Sequence, residues 1–77
     1  MSPPGPGRLG EVRRGRVAVF AAEGGAGVVE DDDGGRFAFH CVEIADGTRQ
    51  IDEGASVVFR LRPAHGGVLE AAQLVPR

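Results

Sequence analysis

The sequence contains no lysine, no tryptophan and no tyrosine, and only one cysteine. A lone cysteine excludes an internal disulfide and fits a reducing compartment. No stretch approaches the roughly 18 consecutive apolar residues that a membrane-spanning helix needs. The opening MSPPGPGRLG has neither the basic start nor the apolar run of a secretion signal. The expectation is therefore a cytoplasmic protein with no membrane partner. Metal chemistry is short of ligands, because one cysteine and two histidines occur at no paired spacing. His40 and Cys41 are adjacent, and neighbours on a strand point to opposite faces, so the two do not chelate together. A cysteine nucleophile needs a base and an orienting group, whereas His65 sits apart in a glycine-rich turn. The glycines at 24–27 lack the following Gly-Lys-Ser/Thr of a phosphate loop, and G-x-G-x-x-G spacing fails at Glu30. The acidic run 30–33 lacks the twelve-residue calcium loop that ends in glutamate and reads as a solvated hairpin turn. The expectation is a protein that is not an enzyme and needs no cofactor.

All nine basic residues are arginines, set against eleven acidic ones for a net charge of −2. That balance argues against strong whole-body attraction to nucleic acid, but the distribution of charge matters more than its sum. Residues 1–13 carry Pro, Gly and Arg without apolar periodicity and are expected to form a disordered tail. Residues 14–77 form the expected domain. There, short apolar runs at 15–20, 25–30, 36–41, 56–61 and 68–75 are separated by turn signals rich in Gly and Asp-Gly. Alternation puts Phe37 and Phe39 on one face and Arg36, Ala38 and His40 on the other. Val57, Phe59 and Leu61 likewise oppose Val58, Arg60 and Arg62. Only residues 68–74 show any helical spacing, and they have no N-cap. Five short strands predict an all-β fold, a small antiparallel barrel closed so as to leave no long free edge.

The order of these features resembles the bacterial cold-shock domain. The resemblance runs through G-x-V-x-x-F at 15–20, G-x-G-x-V at 25–29, D-G-G at 33–35, F-x-F-H at 37–40, I-x-D-G at 44–47 and E-G-x-x-V-x-F at 53–59. It implies a five-stranded OB-type barrel that binds single-stranded RNA or DNA across two adjacent strands. In that family the second strand carries aromatics around its second glycine, where this chain has Ala26 and Val28. The third strand carries an aromatic, a histidine and another aromatic, where this chain has Ala38, His40 and Cys41. The tryptophan of the first strand is Val19, and the ring after the Asp-Gly turn is Thr48. Only Phe20 and His40 survive from that aromatic surface.

The resemblance thus implies a nucleic-acid site at Phe20, Val28, Ala38, His40 and Thr48. Arg16, Arg49 and Arg60, with Arg36 and Arg62, offer guanidinium planes that can stack on bases in place of rings. Stacking contributes roughly 1–3 kcal/mol per base, and a micromolar complex has only about 8 kcal/mol in total. Binding is therefore expected to be weak and without sequence preference. The alternative is an OB-fold protein-interaction module that has lost nucleic-acid binding. Its partner surface, for another protein or for self-association, would be the apolar face Val19, Ala26, Val28, Ala38 and Cys41.

Overall fold

In the computed structural model, residues 12–21, 23–45, 47 and 50–77 are described. Five strands follow one another: β1 (Val12–Ala21), β2 (Ala26–Asp31), β3 (Arg36–His40), β4 (Ser56–Pro63) and β5 (Leu69–Pro76). They close into a barrel in the order β1-β2-β3-β5-β4. The sheet is mixed rather than wholly antiparallel: β3 meets β5 in parallel at Ala38↔Glu70, continued by a parallel bridge from Ile44 to Leu74. The order of elements explains this, because β5 returns along β3 after β4 has paired with β1.

The expected alternation holds in β3 and β4. Phe37, Phe39, Val57, Phe59 and Leu61 are all buried, joined by Val17, Val29, Ile44 and Leu74. Each of the fully buried phenylalanines contributes about 1.5–3 kcal/mol by leaving water. Glycine supplies the space they need at one point: a Cβ on Gly27 would lie 2.7 Å from Phe39 Cζ.

Two bulges interrupt the alternation. Between Val17 and Val19 the β1–β2 register gains one residue on β1, so Val17 pairs with Val29 but Val19 with Val28. An added residue of this kind turns the following side chains to the opposite face. Val19 is consequently exposed while Phe20 turns inward, half-buried. A second register shift, between β4 and β5, falls near Gln73, whose φ of 54° is left-handed. Its amide donates to Glu43 Oε1 at 3.2 Å, which helps hold that conformation. This bulge accounts for the spacing at 68–74: the buried Ala71, Ala72 and Leu74 break a period of two without being helical.

The expected tail, residues 1–13, overlaps the first strand by two residues. β1 already includes Val12 and Arg13, while residues 1–11 lie outside the described part of the chain. Arg13 is buried, and its Nη1 donates to Asp31 Oδ2 at 2.9 Å. The other carboxylate oxygen, Oδ1, accepts the amides of Asp33 at 3.0 Å and Gly35 at 2.8 Å. The acidic run is thus only partly the solvated turn expected: Asp31 is a buried structural residue, and Asp32 and Asp33 are exposed. An Asx turn of this type shapes the chain by side-chain hydrogen bonds to its own backbone.

Candidate nucleic-acid interface

Register places the candidate residues in rows across the outer surface of β1, β2 and β3. Val19, Val28 and Ala38 form one row, and Ala21, Ala26 and His40 the next. Arg16, Glu30 and Arg36 form a third row toward the other end. Val28, Ala38 and His40 are therefore brought together, with Arg16 on the same face but two rows away from His40. Val19 is 47% exposed and the His40 side chain 62%, so this face is open to a partner. It is shallow, because alanine and valine stand where larger side chains would project.

Phe20 is placed differently. It pairs with Gly27, which pairs with Phe39, and its ring lies parallel to that of Phe39 with centroids 6.0 Å apart. Phe20 thus packs on the end of the core and offers a ligand only the part of its ring that Phe39 leaves uncovered. Arg60 lies away from this face, between Val12 of β1 and Ala72 of β5. Thr48 and Arg49 lie outside the described residues. Cys41 leaves the sheet at the start of a 3-10 turn (Cys41–Glu43), where it packs against the core and donates its amide to the Gly25 carbonyl at 2.7 Å. His40 ends β3 and Cys41 begins the turn, and no cluster of three or more metal-ligating residues occurs among the described residues.

Electrostatics divide the arginines into engaged and open ones. Arg36 is paired with Glu30 at 3.4 Å, both exposed. Arg62 reaches Glu43 at 2.7 Å and Glu70 at 2.8 Å. The hydrogen bond to Glu70, followed by the attraction of Glu43, raises the guanidinium above its already high ordinary pKa, so it is permanently charged. Glu70 also stands 4.0 Å from His40 Nε2, beyond hydrogen-bond reach. Glu70 therefore borders the His40 end of the face, and with Glu43 it neutralises the Arg62 guanidinium. Sequence reasoning missed Glu70 because it reaches β3 only through the parallel pairing, for which the sequence carries no local signal.

The backbone is similar to that of Drosophila Unr CSD456, a cold-shock-domain structure. The TM-score is 0.72 and the identity 24%, over 87% of this chain and 27% of that one. The fold is thus a cold-shock-like, OB-type barrel, and the chain spans about a quarter of the length of that structure. No family model matches the sequence, and neither does any curated protein.

Proposed function

We propose that this domain is a divergent member of the cold-shock family that binds single-stranded RNA or DNA weakly and without sequence preference. One observation carries the reading: the outer face of β2 and β3 gathers Val28, Ala38 and the exposed His40 beside Val19 on a cold-shock-like barrel. His40 supplies a stacking plane, Val28 and Ala38 a flat apolar floor, and Arg16 a charge toward the far end. Thr48 and Arg49, outside the described residues, join the proposed site through the family resemblance alone. Phe20 contributes the uncovered part of its ring. Arg60, on the far side of β1, meets only a strand long enough to cross the barrel. The protein works in the cytoplasm as a binding protein and carries no catalytic chemistry.

A second reading has its own observation. Val19, at 47% exposure, belongs to the small apolar row, and Val42, at 62%, stands exposed in the turn that follows β3, a composition equally suited to a protein surface. Anisotropy titration of a labelled pyrimidine-rich oligonucleotide separates the two. Saturable binding weakened by His40→Ala supports the nucleic-acid reading. Absence of binding together with concentration-dependent self-association in sedimentation supports the protein-interaction reading.

A further inference from the structure

The positive charge that is open to a ligand gathers not on the β2–β3 face but on the opposite flank of β1. A cleft of about 290 Å³ there is lined by Arg14 and Arg16 of β1, Ser56 and Val58 of β4, Asp32 of the β2–β3 turn, and Arg77. The strand pairing builds it: Arg14 stands opposite Val58 and Arg16 opposite Ser56. The Arg77 amide donates to the Ser56 carbonyl at 2.8 Å, which brings the third arginine to the same place.

Elsewhere in the described residues the arginines are engaged. Arg13 is held by Asp31, Arg36 by Glu30, Arg62 by Glu43 and Glu70, and Arg60 has contacts of its own. Arg14, Arg16 and Arg77 make no side-chain hydrogen bond or ion pair with any described residue. A chain with more acidic than basic groups thus leaves three guanidiniums uncommitted around one cleft, with a serine hydroxyl between them and Asp32 as its one acidic side chain. Guanidinium forks match the paired oxygens of a phosphate. The neighbouring cleft on the other side of Arg16 is bordered by Glu30, Asp31 and Asp32 and would repel the same ligand.

We propose that the Arg14–Arg16–Arg77 cleft is a phosphate-binding subsite. Its ligand, on the functional reading above, is the phosphodiester backbone of the bound single strand. The strand would leave the β2–β3 face past Arg16, which belongs to both surfaces, cross β1, and place phosphate against Ser56 and Arg77. Phosphate contacts of this kind hold and orient a strand without reading its sequence.

The test compares the wild type with the triple variant Arg14→Gln, Arg16→Gln and Arg77→Gln, all at exposed positions. Anisotropy with the labelled oligonucleotide is followed from low to moderate salt. Each phosphate held on a single strand contributes about 0.7 to the slope of log K against log salt. The slope should fall by about 0.7 if the arginines share one phosphate, and by about 2 if each holds its own. Asp32→Asn should tighten binding several-fold. An unchanged slope and affinity in the triple variant, with the wild type binding, overturns the cleft and leaves the proposed function standing. Failure of the wild type to bind oligonucleotide removes the functional reading instead. The cleft is then judged with tripolyphosphate alone. Amide shifts at Gly15, Arg16 and Ser56 that vanish in the triple variant uphold a phosphate site, and their absence overturns it.

Discussion

Asp31→Asn is a sharp perturbation because the two oxygens of Asp31 do different work. Oδ1 accepts the Asp33 and Gly35 amides, and asparagine can keep that acceptor. Oδ2 accepts from Arg13, and there asparagine removes the charge and can present donors to a donor. Both side chains are nearly inaccessible, at 7% and 2% exposure, so solvent does little to compensate the guanidinium for the lost charge. Breaking a buried pair from one side costs about 3–5 kcal/mol. A domain this small has total stability on the order of 5 kcal/mol. With a urea slope near the low end of the usual range, about 1 kcal/mol per molar, the midpoint should fall by about 3 M or more. The readout is far-UV circular dichroism, since the chain has no tryptophan or tyrosine to report by fluorescence. If Asp31→Asn does not fold, Arg13→Met with Asp31→Asn settles the question: replacing the buried cation with an apolar side chain should recover most of the loss. A midpoint shift below about 0.5 M for Asp31→Asn would refute the assignment, because that is the behaviour of an exposed pair.

Other expectations follow from the same geometry. Gly27→Ala should lower stability by about 1–3 kcal/mol, because the added methyl meets the Val19 carbonyl oxygen and the Phe39 ring; urea unfolding measures it. Phe20→Ala should cost about 2–3 kcal/mol as a partly buried core residue, whereas Val19→Ala, one position away and exposed, should stay within about 0.5 kcal/mol. Ala38→Phe puts a ring back on the outer face beside Val28 and should tighten oligonucleotide binding by about five- to 150-fold.

The parts of the fold carried by uninterrupted alternation were legible in the sequence. RFAFH and SVVFRL each keep a period of two, so their buried and exposed sides could be assigned residue by residue, and all their phenylalanines are in the core. The parts altered by bulges were not. Strict alternation in GRVAVF puts Val17 and Val19 on the same face, yet the extra residue in β1 separates them and carries Phe20 inward. The same event at Gln73 gave β5 a misleading spacing. Asp31 looked like part of a solvated charge run because its partner, Arg13, lies eighteen residues away, on a stretch rich in turn formers. The candidate face was legible where it rests on β2 and β3. Its electrostatic setting was not, since Glu43, Glu70 and Arg62 meet only after the barrel closes.

Titration of the wild-type protein into a labelled pyrimidine-rich oligonucleotide decides whether the barrel binds single strands. Saturable anisotropy in the micromolar range at low salt is expected, weakening as salt rises and differing little between RNA and DNA. A flat trace at high micromolar protein in low salt, under conditions where a conventional cold-shock protein binds, would contradict it.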